Sequence, residues 1–277
     1  MKVNKLAFFR RFTFAVLSLL MTANLWGQTS SLTNGDGSSS RPWLIENAED
    51  WAKFVNDVND RGYNYNGKYV QLASDLGTID PITTMVGVWS ETQSERKPFR
   101  GTFSGNNYIL TVRYENTGVY TAPFRCTQGA TIKQLTVRGD IITTEGYAAG
   151  LIGGNYSNKT KVDNNVFVSV NITNGNGGSA GDNCAGIAVD GTYVEISSTV
   201  YNGIIKADKN SAGFIVTGSN TSPTYTKINN SLFAPAEGTK IKVGENFVAN
   251  GTYNRLATSY YVKQIGESEQ GNRAYAS

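Results

Sequence analysis

The sequence predicts an all-β fold, a single-stranded parallel β-helix (β-solenoid) closed at its start by one α-helix. Three observations predict it. A short motif recurs four times, as Ala122-Pro123-Phe124, Ala149-Gly150-Leu151, Ala185-Gly186-Ile187 and Ala212-Gly213-Phe214, with its bulky residues 27, 36 and 27 apart. A repeat of this length marks stacked supersecondary units. The composition, with 30 Gly in 277 residues, many Asn, Ser and Thr, and 17% charged side chains, suits a β protein rich in tight turns. Only one segment carries helical periodicity. A β-sandwich with turns every ~8–12 residues would leave the phase-locked motif without a cause.

The chain opens with Lys2, Lys5, Arg10 and Arg11, followed by an apolar stretch from Phe12 to Trp26. At 15 residues this falls short of the ~20 that span a bilayer and fits the h-region of a secretory signal. Residues 1–27 are therefore read as a signal peptide, cut near Gly27-Gln28, and the protein as secreted or displayed on the cell surface. Cleavage removes four of the 25 basic side chains and none of the 22 acidic ones, leaving 21 against 22. The basicity belongs to the targeting segment, and no clustered cationic footprint remains for nucleic acid.

Residues 28–42 form a polar leader. Residues 43–66 hold a first strand at Trp43-Leu44-Ile45 and a helix over Ala48 to Asn59. Asn47 is placed to cap that helix, and Glu49 and Asp50 suit its positive end. Ala48, Trp51, Phe54, Val55 and Val58 make one apolar stripe, and Gly62 follows as a terminator. An amphipathic helix here would cover the open end of a solenoid core. Residues 67–277 hold the repeats, with rungs anchored at Phe124, Leu151, Ile187 and Phe214. The bulky residue of each motif points into a narrow core, and its small neighbours occupy a bend. A second set of apolar residues follows each anchor: Ile132/Leu135/Val137, Val162/Val166/Val168, Val194/Ile196/Val200 and Ile228/Leu232. Residues 77–98 read as a long loop or insertion.

Chemistry is bounded by two counts. There is no His, which removes His-based triads and His-ligated zinc. The two cysteines, Cys126 and Cys184, sit two rungs apart, roughly 9–10 Å by axial rise alone. Disulfides rarely bridge Cα atoms beyond ~7 Å, so both are expected to be buried, inert thiols. The aspartates Asp75, Asp80, Asp140, Asp163, Asp182 and Asp190 are scattered, as turn residues are. A glycosidase needs two carboxyls facing one groove, ~5–10 Å apart, and no Asp-Asp or Asp-x-Asp pair occurs.

No catalytic residue is assigned. The candidate ligand-binding residues are Trp89, in the long loop, and Tyr114, Tyr120, Tyr156 and Tyr201, near turns or strand edges. Flat rings on a solenoid face can stack on sugars, with the Tyr hydroxyl as a polar handle. The opposing reading is that these rings pack on the core edge or on one another between rungs. No cofactor is expected other than a structural calcium ion, for which Asp163 and Asp182 are the candidate ligands. Asp182 ends the Gly-rich run Gly177-Gly178-Ser179-Ala180-Gly181-Asp182, close to a calcium-binding nonapeptide but with different Gly-Asp spacing.

Three stretches carry a family resemblance: Gly35-Asp36-Gly37 through Ile45 with the Asp50-Trp51-Ala52-Lys53-Phe54 helix, the run Pro98 to Ile109, and the Ala-Gly-Leu/Ile/Phe rungs. Together with Tyr260-Tyr261 and Gln270 to Tyr275, they resemble the GLUG-motif proteins of gut-type anaerobic bacteria, secreted or surface-displayed on a pectin-lyase-like right-handed β-helix. The second Gly of the usual motif is replaced here by Ile152, Ala188 or Ile215. The resemblance implies a right-handed coil and an adhesin-like role, and it brings no catalytic residues. The leading expectation is thus a non-catalytic module that binds glycan or another surface protein. A polysaccharide lyase or glycosidase on the same fold, and a structural spacer within a larger surface protein, are the alternatives.

Overall fold

Successive turns of the chain lay down short parallel strands on up to four faces, here called sheets A to D. The computed structural model describes residues 29–273 apart from 116–117, 145, 175–182, 208–210, 220, 222–224, 242–243, 251–254 and 266–269. The expected signal segment and Asp182 lie outside the described residues. Sheet A has eight strands, from Trp43–Ile45 through Tyr69–Leu72, Thr102–Ser104, Thr131–Lys133, Thr160–Asp163, Val194–Ser197 and Lys227–Asn229 to Arg255–Ala257. Sheet B is built on three long strands, Ile109–Glu115, Thr136–Thr143 and Val166–Asn174, and continues in shorter ones to Asn272–Arg273. Sheet C stacks Tyr147–Ala149, Asn183–Ala185, Ser211–Ala212 and Gly244–Glu245. Sheet D stacks Phe124–Thr127, Ile152–Asn155, Ala188–Asp190, Ile215–Thr217 and Val248–Asn250. Every pairing between these strands is parallel and joins one turn to the next, for example Ile132 to Val162 to Ile196 to Ile228. The fold is a right-handed parallel β-helix.

The helix spans Ala48–Asn59. Asn47 is extended, and its side chain accepts from the amides of Glu49 and Asp50 at 2.9 and 3.0 Å. Trp51, Phe54, Val55 and Val58 are buried, whereas Ala48 is exposed. Phe54 packs on Tyr65, Phe99 and Phe103, with ring centroids 5.1, 5.4 and 5.8 Å away, and Trp51 lies edge-on to Phe103. This aromatic plug seals the first turns of the core. The helix also buries Asp57, which its periodicity would leave unremarked. The Asp57 carboxylate accepts from the Ser31 amide (2.7 Å), the Ser31 hydroxyl (2.8 Å) and the Tyr65 hydroxyl (2.7 Å), and it pairs with Arg61. The polar leader is thereby tied down. Leu32 is buried and Gly37 lies against the Trp43 ring.

Two corners explain the repeat. Between sheets A and B the chain turns through left-handed residues: Asn106 and Asn107, Gln134, Asn164 and Asn165, Ser198, Asn230 and Thr258. Asn tolerates this conformation better than most residues. In the last three turns the residue after the corner is a buried hydroxyl. Thr199, Ser231 and Ser259 each donate to the carbonyl two residues back, at 2.8, 2.7 and 3.1 Å. Between sheets C and D lies the Ala-Gly-apolar motif. A Cβ on Gly186 would sit 2.1 Å from the Gly213 carbonyl oxygen, and one on Gly150 2.4 Å from that of Gly186. Glycine is required by axial stacking here. Ala122, Ala149 and Ala185 face outward into a crease, with Val189 and Val216 on its other wall. Leu151, Ile187 and Phe214 face the interior.

Some expectations are refined. Phe124 pairs in register with Ile152 and not Leu151, because the Ala-Pro-Phe bend is one residue shorter. Val200 and Leu232 point outward, and Tyr201 and Phe233 fill the inward positions beside them. Residues 77–98 join the ladder in part: Ile82 bridges Val112, and Val86 bridges Phe124. A fifth rung, Glu245-Asn246-Phe247-Val248, stacks on Ala212 to Ile215, with Phe247 5.0 Å from Phe214. Its Glu and Asn replace the small residues of the motif. Cys126 and Cys184 are buried and no disulfide joins them, and burial pushes the Cys126 thiol up to about 12.

Candidate functional site

Three of the five aromatic candidates meet on one outer ledge beside the crease of sheets C and D. The ledge is built from the 77–98 segment. Val88 and Lys97 exchange backbone hydrogen bonds at 2.9 and 3.0 Å, making a small hairpin that carries Trp89 and Arg96. The capping helix fixes its base, since Asn59 donates to Met85 O and accepts from Gly87 N, and Lys97 Nζ donates to Asn59 O. Trp89 then lies flat over Gly154, where a Cβ would come within 2.1 Å of the indole. Gly153 lies against backbone, where a Cβ would come within 2.7 Å of the Arg125 carbonyl oxygen and 2.8 Å of that of Tyr120. The Gly153-Gly154 pair inside a strand is a sequence signal that could have marked this seat.

The rings form one continuous stack. Tyr147 and Tyr120 are 5.0 Å apart and 27° from parallel, and Tyr120 and Trp89 are 4.4 Å apart. The Arg96 guanidinium lies 3.9 Å from the Trp89 ring centre and 5.0 Å from that of Tyr156. Arg96 is held there by donating through Nε to Ser90 O at 2.6 Å. Tyr156 follows Asn155, a buried amide that fixes the strand end. Its Oδ1 accepts from the Thr127 and Thr160 hydroxyls at 3.1 and 2.7 Å, and its Nδ2 donates to Thr192 O at 2.7 Å. All five ledge side chains are half-buried. Trp89 Nε1 has no hydrogen-bond partner among the described residues.

Two carboxyls lie near this group, the exposed Glu91 and the more enclosed Asp190. Asp190 accepts from the Thr192 amide at 2.9 Å, and burial raises its pKa above the usual 3.8. Burial, with Asp190 nearby, also pushes the Tyr120 phenol up to about 12. The ledge can offer flat apolar faces, phenol groups and one oriented cation.

The other candidates fall elsewhere. Tyr114 and Tyr201 point inward and are fully buried, with hydroxyls donating to Thr84 O (3.3 Å) and Val170 O (2.9 Å). Both belong to the core, because strand alternation turns them inside. Asp163 is exposed, and its Oδ1 accepts from Asn164 N and Ser197 Oγ, each at 2.6 Å, as a turn residue does. Among the described residues no three His, Cys, Asp or Glu side chains gather where they could hold a metal ion. No described helix is long and apolar enough to cross a membrane. Tyr147 and Arg96 were missed by sequence reasoning: Arg96 comes to Trp89 only through the hairpin, whereas Tyr147 lies two residues before Ala149, as Tyr120 does before Ala122, and stacks on Tyr120 one rung along.

Compared with protein-family models, with curated proteins and with solved structures, the chain matches none.

Proposed function

We propose that this chain is a secreted or cell-surface recognition module that binds glycan through the Tyr147–Tyr120–Trp89–Arg96–Tyr156 ledge, without catalysis. The observation that carries the reading is the gathering of four rings and a pinned guanidinium on one solvent-facing edge of a rigid scaffold. Aromatic faces that end in polar groups suit a ligand with apolar ring faces and hydroxyl rims. The export-like N-terminus and the GLUG-type resemblance support a location outside the cell.

The test is a glycan array on the mature protein, followed by titration of any hit against Tyr147→Ala and Arg96→Ala. Loss of affinity by about tenfold or more, ~1.4 kcal/mol, is expected for each. Absence of any bound glycan, or turnover of a polysaccharide with no loss in the ledge variants, overturns the reading.

A further inference from the structure

The outer face of sheet B breaks the rule that its inner face obeys. Along one column the outward side chains are Ile109, Thr136, Phe167, Val200 and Leu232, on five successive rungs in register, continued by Tyr260. Of six large apolar side chains exposed among the described residues, Ile142, Phe167 and Tyr260 lie on this face, and Val262 borders it. Phe167 sits at the middle rung and is 45% exposed. A contiguous apolar stripe of this kind marks an interaction surface.

A second column on the same five rungs reads Glu115, Ile142, Thr173, Lys206 and Lys240. Its acidic end belongs to the first rung and its basic end to the last two. A two-fold axis parallel to the strands, passing through the middle rung, reverses rung order while keeping each column on itself. That operation sets Ile109 against Leu232, Thr136 against Val200 and Phe167 against Phe167. The same operation sets Glu115 against Lys240. Glu115 also holds Arg113 within its own chain, at 2.5 Å, and the two Lys form no ion pair among the described residues.

The area is adequate. Five rungs at ~4.8 Å and a span of about eight residues at ~3.3 Å, continuous in the first three rungs and split into two short strands in the last two, give a face of ~24 by ~26 Å. Pairing two such faces covers ~1,250 Å², within the ~1,200–2,000 Å² of specific interfaces. We infer that sheet B docks face to face on sheet B of a second copy of this chain, solenoid axes antiparallel, with Phe167 on the two-fold axis. The ledge, on sheets C and D, is not part of this face.

Sedimentation of the mature protein over a range of concentrations tests it. A concentration-dependent dimer is expected. Ile109→Glu and Leu232→Lys should each weaken it by about tenfold or more. The double variant should recover dimerisation, because the two positions are four rungs apart in one chain and face each other only across the interface. Thermal melting of each variant reports that the fold is kept. A monomer at all concentrations overturns the inference. So does a dimer indifferent to both substitutions, or a double variant no better than the singles.

Discussion

Gln270 meets Val248 as one strand meets the next. Its Nε2 donates to the Val248 carbonyl at 2.9 Å, and its Oε1 accepts from the amides of Val248 (2.8 Å) and Phe247 (3.2 Å). The side-chain amide supplies the hydrogen bonds that a further rung of sheet D would make. Gln270 is buried, so these groups have no ready exchange with water. Replacing it by Ala leaves three buried backbone groups unsatisfied, at ~1–3 kcal/mol each before relaxation. Gln270→Ala is therefore expected to lower stability by about 2 kcal/mol or more in denaturant unfolding. It should also accelerate hydrogen exchange at Val248 selectively.

The Ser31–Asp57 contact makes a second prediction. Asp57→Ala removes the acceptor shared by Ser31, Tyr65 and Arg61. Breaking a buried, hydrogen-bonded charge costs on the order of 3 kcal/mol. Residues 29–42 should become sensitive to protease in the variant while the wild type resists.

Stacking at Gly186 is testable in the same terms. Gly186→Ala forces a Cβ onto a backbone oxygen that cannot move without opening the next rung. A loss of about 3 kcal/mol is expected, near the upper end of overpacking costs. Gly129→Ala meets only the looser Asn158 side chain, at 3.2 Å, and adds the left-handed strain of its φ of +71°, about 1 kcal/mol, so it should lose less.

Asp190 gives a pH dependence with a definite sign. Burial raises its folded pKa above 3.8, so the folded state disfavours the carboxylate. The neutral acid's contribution to stability is complete below 3.8 and is lost as pH rises through the raised value. Asp190→Asn should thus be more stable than the wild type near neutrality. Melting curves at several pH values should show that advantage shrinking towards pH ~3, where both side chains are neutral.

The two thiols supply a simple check on burial. Cys126, pushed up to about 12, and the enclosed Cys184 should not react with a thiol reagent at neutral pH in the native protein. Both should react after unfolding. Rapid native labelling of either would contradict the packing described here.

Much of this architecture was legible because its signals are local and repeated. The helix announces itself through Asn47 and the Trp51/Phe54/Val58 stripe, and the sheet C to D corner through Ala-Gly-apolar. What escaped did so for physical reasons. Tyr201 and Val200 are neighbours, and only the corner at Ser198 decides which faces inward. Glu245-Asn246-Phe247 makes a rung without the small residues, because the end of the solenoid relaxes the packing that demanded them. The ledge was half visible. Trp89, Tyr120 and Tyr156 were found by residue type, but Arg96 arrives through a hairpin whose geometry no periodicity encodes, and Tyr147 through the spacing that sets it one rung along from Tyr120.

The two ends of the ladder have a consequence for growth. In-register parallel strands at ~4.8 Å are also the repeat of a cross-β fibre, which lengthens because each end displays the same bare backbone. Here the first turns meet a helix and an aromatic plug, and the last strand of sheet D meets the Gln270 amide. A monomer approaching sheet D along the axis finds its template already occupied. Sheet D thus shares the strand geometry of an amyloid while its last described strand offers a second chain no bare edge at Val248.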